Sequence, residues 1–229
     1  MTILAWEGES KVNGEPVMLG ISAEDPKRPS KNIKTGPMVQ VVAMLRDVHP
    51  HEATKTGADE AVCGGCKLRP SVHKKLKMVG EEVAEHPCYV LTYRKAAQWK
   101  ALKKAEEDLE GAIAAVSGRA VRFGEYGNMS SVSREAVEAL MRAADKHTLY
   151  EHEWRKPGNQ WLKDYAMASV HSEDERQEAK ALGWRTFKTG DELEEGEIWC
   201  PFHEHGIQCI KCGLCNGGEG KDIVIPSHR

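Results

Sequence analysis

Four of the seven cysteines lie within sixteen residues near the end of the chain, as Cys200-Pro-x7-Cys209-x2-Cys212-x2-Cys215. Thiolates are soft ligands that take iron and zinc. The repeated two-residue spacing of Cys209-Ile-Lys-Cys212-Gly-Leu-Cys215 is one that iron–sulfur ligands use. A single C-x2-C pair chelates one zinc, but a third cysteine three residues on reaches the same tetrahedral ion only by straining the turn. A cubane offers a different iron to each thiolate, so the spacing favours a 4Fe-4S cluster. The competing reading is a zinc-stapled tail, with Cys200 or His203 completing the site.

The other three cysteines, Cys63-Gly-Gly-Cys66 and Cys88, form a second group. Three thiolates on a cubane leave one iron open to a small molecule. Zinc needs a fourth ligand, for which His73 is better placed than His86, next to Pro87. The two groups hold either two sites or one shared site. The count of seven is odd, and the start, Met1-Thr-Ile-Leu-Ala-Trp-Glu, lacks the positive segment of a secretory signal. The cysteines therefore read as metal ligands in a reducing cytoplasm rather than as disulfides.

Composition narrows the class. In 229 residues, 40% hydrophobic and 29% charged, there is material for one ordinary soluble domain with a small appendage. No apolar run approaches the ~20 residues that span a membrane. A net charge of −3 gives no overall attraction to nucleic acid. A local basic face remains, in residues 27–34, 67–69 and the Lys74-Lys75 pair.

The elements that must position these cysteines follow from periodicity. Residues 1–35, interrupted by glycine and proline, read as a loose arm with a short hairpin. Met38-Val-Gln-Val-Val-Ala-Met-Leu45 is a β-branched run and predicts a buried strand. A long loop over residues 48–87 carries the first cysteines, and Cys88-Tyr-Val-Leu-Thr-Tyr93 reads as a second short strand or the lead into a helix. Trp99, Leu102, Leu109 and Ile113 recur at helical spacing and predict one helix over residues 94–115. Ala120-Val-Arg-Phe123 predicts a strand. Ser133 caps a helix carrying Val137 and Leu140, and Ser172-Glu-Asp-Glu175 matches a capping box that opens another. Further strands are expected near 147–154, 165–170 and 184–188, with a last one at 222–226. Strands alternating with helices predict an α/β fold, with a mostly parallel sheet or a partial (βα) barrel and a C-terminal cysteine-rich metal-binding segment. The expected division is an arm (1–35), an α/β domain (36–199) and the cysteine-rich segment (200–229).

In parallel α/β folds, functional groups gather at the C-terminal ends of strands. The first cysteine group falls there. So do Gly124-Glu125-Tyr-Gly-Asn128, the pair Glu151-His152, and the pair Ser169 and His171. Arg185 is expected to face the sheet interior. Glu125, with Gly124 and Asn128, is the candidate for binding a ligand's amino group.

A first strand, a cysteine loop ending in Cys88-Tyr89, a helix, and a strand ending in Gly124-Glu125 together resemble the radical S-adenosylmethionine enzymes. The resemblance is topological and covers residues 36–190 loosely. The cysteine spacing, C-x2-C-x21-C, differs from that family's C-x3-C-x2-C. It implies a partial barrel whose first cluster cleaves S-adenosylmethionine reductively, and a C-terminal cluster that carries electrons or binds substrate. Separately, Lys34-Thr-Gly-Pro-Met-Val-Gln40, Lys55-Thr-Gly-Ala-Asp59, Met167-Ala-Ser-Val170 and Gly183-Trp-Arg-Thr-Phe187 resemble a phage-borne family of small cysteine-rich proteins. That resemblance implies a setting, a bacterial cytoplasm, with a nucleotide or nucleic acid as the expected substrate. The alternative from another class is a zinc-braced module, not an enzyme, that binds nucleic acid or a protein through the basic face.

Overall fold

The computed structural model describes residues 1–22, 32–80 and 88–226. His86 and most of the basic stretch 27–34 lie outside them. The chain folds as α/β, with one mixed and one parallel sheet.

Half of the expected arm is sheet. Strands β1 (Thr2–Glu9) and β2 (Pro16–Ser22) form an antiparallel hairpin, and β2 pairs antiparallel with β3 (Val39–Leu45). Val17, Leu19 and Ile21 are fully buried, which is why this stretch is not a free arm. The expected loop over 48–87 also gains structure. It carries helices α1 (Pro50–Thr56), α2 (Glu60–Cys63) and α3 (Pro70–Met78), each too short for periodicity to reveal. Of the two readings of residues 88–93, the lead into a helix is the one found: residues 88–91 are irregular and a 3₁₀ turn follows at Thr92–Lys95. The single helix expected after it is two, α4 (Ala96–Leu102) and α5 (Leu109–Val116), because Asp108 caps a new helix by accepting from Gly111 N–H at 2.7 Å. Gly20 lets α4 approach β2; a Cβ there would overlap the Leu102 methyls.

Strand β4 (Ala120–Tyr126) lies parallel to β3, and helix α6 (Arg134–Ala143) leads to β5 (Lys146–Thr148), parallel to β4. After one residue comes β6 (Tyr150–Glu151), which pairs with β7 (Met167–Val170) in the second sheet. Thus β5 and β6 are successive lengths of one extended segment that belongs to both sheets. A 3₁₀ helix (Pro157–Asp164) makes the β6–β7 connection, which showed no helical pattern. Helix α7 (Glu173–Ala181) precedes β8 (Thr186–Thr189). After β9 (Glu197–Trp199), the one-turn helices α8 (Pro201–His205) and α9 (Cys209–Cys212) carry the last cysteines. Strand β10 (Asp222–Ile225) then inserts between β8 and β9, parallel to both. From β3 to β8 the strands are parallel and follow chain order across the two sheets.

A buried charge network locks the second sheet. Arg176 of α7, 2% exposed, donates to Glu173 at 2.7 Å and to the Glu195 carbonyl at 2.7 Å, and lies 3.1 Å from Glu197 and 3.4 Å from Asp222. Lys188 completes it on Glu197 at 2.8 Å. Removing Arg176 leaves Glu197 with Lys188 and Asp222 with Lys180 as their remaining cations, and breaking a buried network in this way costs roughly 3–5 kcal/mol. R176M is accordingly expected to lower unfolding free energy by about that much in urea titrations; a loss under about 1 kcal/mol would mean the network relaxes without Arg176.

Candidate functional site

All seven cysteines are free thiols, and the structure sorts them into the two groups read from the sequence. The first group is built by the segment after β3. Cys63 ends α2, and Cys66 follows one tight turn later, its N–H on the Cys63 carbonyl. Arg69 holds this turn. Its guanidinium donates to the buried Asp59 carboxylate at 2.9 and 3.1 Å, to the Gly64 carbonyl at 2.8 Å and to the Gly57 carbonyl at 2.6 Å. Asn128, from the end of β4, donates its side-chain amide to the Cys63 carbonyl at 3.1 Å and its backbone N–H to the Val62 carbonyl. Cys88 is tied in by its own N–H on the Leu68 carbonyl.

The peptide geometry around the sulfurs favours thiolates. The backbone N–H groups of Leu68 and Arg69 turn toward the Cys66 sulfur, and that of Val90 toward Cys88, each lowering the thiol pKa. Burial works against them and wins. Cys66 is pushed up to about 11, and Cys63 is raised well above the usual range by burial, then by Cys66, Asp59 and Cys88. Cys66 and Cys88 both act through space on Cys63, and Cys66 acts on Cys88, so the three thiols lie close together. Without a cation they stay protonated at neutral pH.

The second group is drawn from three places. Cys200 ends β9 and caps α8, Cys209 and Cys212 bracket α9, and Cys215 follows. All four line one partly open pocket with Lys34, Thr148, Tyr150, Phe202 and Ile223. The segment is sewn to both sheets by Cys209 N–H on the Lys34 carbonyl, Ile210 N–H on the Thr35 carbonyl and Leu149 N–H on the Cys215 carbonyl. Arg185 holds its far end, donating to the Gly217 carbonyl at 2.8 Å and to the Lys221 carbonyl. Burial pushes Cys215 up to about 12, against the Tyr150 hydroxyl that donates to its sulfur. Cys209 is raised by burial, with Lys34 opposing. The free space among these thiols is about 10 Å³, room for one water-sized group. Among the described residues, no set of three or more His, Cys, Asp or Glu side chains closes round a single ion.

A larger cavity, about 250 Å³, opens at the C-terminal ends of β6 and β7 beside the first thiol group. It is lined by Cys66, His152, Glu153, Ser169, His171 and Glu175, among others. Glu153 joins it to the cysteine turn, accepting from Gly65 N–H at 2.7 Å. This explains the Gly-Gly pair: a Cβ at Gly64, where φ is +58°, would sit 2.6 Å from the Glu153 carboxyl carbon. Burial holds His152 and His171 neutral, His171 down to about 4 with His152 adding to the effect. His171 Nδ1 is buried without a hydrogen-bond partner. Glu151, next to this cavity, is raised by burial. The expected gathering at the strand ends is therefore present for the first cysteines, Asn128, His152 and His171.

Other expected residues serve differently. Gly124 and Glu125 lie within β4 rather than after it, and Glu125 is ion-paired with Lys95. His73 is buried on α3. Arg69, expected on the basic face, is buried on Asp59, and Lys67 pairs with Glu175 at 3.0 Å. Residues that the sequence reading passed over are Asp59, Tyr126, Tyr150 and Arg122. The last was legible as a charge inside the apolar run Ala120-Val-Arg-Phe123.

His171 gives a pH signature. In the unfolded chain it takes a proton below about 6.5, whereas in the fold it stays neutral down to about 4, so stability falls as pH drops between these values. The urea midpoint of H171Q is expected to fall less steeply than that of the parent across pH 6.5 to 4; identical slopes would contradict the assignment.

No protein-family model, curated protein or solved structure matches this chain, so the chemistry of the site rests on its own residues.

Proposed function

We propose that the chain is an iron–sulfur protein with two thiolate centres and a small-molecule cavity beside the first. Cys63, Cys66 and Cys88 would hold a cluster with one open iron, and Cys200, Cys209, Cys212 and Cys215 a second. The observation that carries this reading is the peptide N–H groups aimed at Cys66 and Cys88, within a three-thiol group that is braced by a buried Arg69–Asp59 pair. Donors of this kind are the outer-shell partners that orient metal-bound ligands. Three ligands also suit an open position, and the 250 Å³ cavity adjoins them.

A bound cluster supplies one-electron chemistry and, at an open iron, a place for a small molecule. The protein's own part is to orient and to move protons. His152 and His171, held neutral by burial, are acceptors at the cavity wall, and buried Glu151 is poised to hold a proton. The parallel, chain-ordered strands β3 to β8, with the cysteine segment after the first of them, support a partial barrel of the radical S-adenosylmethionine kind. In that reading S-adenosylmethionine is the cofactor, a small molecule or nucleotide is the substrate, and a bacterial cytoplasm is the setting. Glu125 meets a ligand's amino group only by exchanging Lys95 for it.

The narrow space among the four C-terminal thiols favours a second reading for that group alone: a single zinc, bracing a surface that binds nucleic acid or protein. A cluster requires those side chains to swing outward, from one-turn helices that end at left-handed glycines, Gly206 and Gly213.

Protein purified without oxygen is expected to absorb broadly near ~400 nm and to hold roughly four to eight irons with matching sulfide. C66S and C212S are each expected to remove about half of both, if each group holds one cubane. Cleavage of S-adenosylmethionine by the reduced protein would then follow. A colourless protein with one or two zincs would contradict the iron–sulfur reading and favour the zinc-braced module.

A further inference from the structure

Three polar side chains form a row across the first sheet: Gln40 on β3, Arg122 on β4 and Thr148 on β5, each in register with the next. Their strand neighbours Val39, Val41, Val121 and Phe123 are fully buried in the hydrophobic core. Because side chains alternate along a strand, the row stands on the opposite face. That face meets the second thiol group, since Thr148 and Tyr150 line its pocket. It also meets the first, for the Arg122 charge acts on Cys88 as well as on Cys209 and Tyr150. The Arg122 charge therefore reaches both groups.

Its state is unlike that of the other enclosed arginines. Arg69, Arg176 and Arg185 spend their donors on carboxylates and carbonyls. Arg122 is half-buried, and no hydrogen bond or ion pair joins its guanidinium to another described residue. Beside it, the Gln40 side-chain oxygen is buried without a partner, while the Gln40 amide donates to the Met38 carbonyl at 3.0 Å. A fork of unspent donors next to an unspent acceptor is costly in a folded interior and is complementary to a ligand carrying both an oxyanion and an adjacent donor.

We propose that Arg122 is the oxyanion-binding residue of a small-ligand site on this sheet face, with Gln40 accepting a hydrogen bond from the same ligand. The ligand's carboxylate or phosphate lies on the guanidinium, and its amino, amide or hydroxyl donor lies on Gln40. That both groups within reach of Arg122 are metal centres rests on the function proposed above; the anion site itself needs no metal.

The test is isothermal titration of the protein as isolated with inorganic phosphate and, separately, with acetate. At least one anion is expected to bind saturably at one site; phosphate binding points to a phosphorylated ligand and acetate binding to a carboxylate. R122Q is expected to weaken it at least tenfold, with circular dichroism and metal content unchanged. R122K, which keeps the charge and loses the fork, is expected to fall between. R142Q, at an exposed cation on α6, is expected to bind as the parent does. Absence of binding in the parent, or equal affinity in R122Q, would overturn the proposal. So would a loss of metal in R122Q with no anion binding in the parent, which would make Arg122 a counter-charge to the thiolates alone. A metal-free protein that still binds the anion through Arg122 would sink the iron–sulfur reading and leave this site standing.

Discussion

The backbone of Leu149 joins the three parts of this molecule. Its N–H is held by the Cys215 carbonyl and its carbonyl by the Met167 N–H, both at 3.0 Å. One residue earlier the chain belongs to the first sheet, and one residue later to the second. The side chains on either side, Thr148 and Tyr150, then face the C-terminal thiols together. A fully buried residue whose two backbone groups satisfy two different segments cannot shift without orphaning both, and each orphan costs about 1–3 kcal/mol. The position of the second thiol group is thus fixed by sheet geometry, although that group lies in a segment of one-turn helices with little order of its own.

The first thiol group is positioned by different means. Helix α2 is a single turn and cannot stand alone. It is held by the Arg69–Asp59 pair, by Asn128 from β4 and by Glu153 from beyond β6. These come from the C-terminal ends of parallel strands, so the cysteine turn is braced by the rim that it helps to form. Burial raises the thiol pKa of Cys63, Cys66 and Cys88 in the first group and of Cys209 and Cys215 in the second, and a bound cation would offset that cost. The fold thus places the first thiols against a cavity, and the second against the Thr148 end of a polar row whose middle member is Arg122.

Much of the α/β order was legible because the strands are β-branched and their helices carry caps. Ser133 and Ser172 each accept from the N–H three residues on, as their spacing foretold. The grouping of cysteines was legible from spacing alone. What was not legible has physical reasons. Helices of one or two turns, such as α1 to α3, are too short to show a period. The interruption between α4 and α5 depends on a single cap at Asp108. Residues 1–22 looked broken by glycine and proline, yet they form a hairpin whose second strand, with Val17, Leu19 and Ile21 buried, pairs along its other edge with the distant β3. Charges spent inside the fold, as Arg69 and Arg176 are, cannot be told in sequence from charges left for a ligand. Arg122 is distinguished from them only by what surrounds it.

The central claim is that the seven thiols hold two metal centres. A crystal structure of protein grown without oxygen, with anomalous data on both sides of the iron absorption edge, tests it most directly. The account predicts two iron peaks, one among Cys63, Cys66 and Cys88 and one among Cys200, Cys209, Cys212 and Cys215. Thiols in both groups without iron, or paired with each other as disulfides, would contradict it.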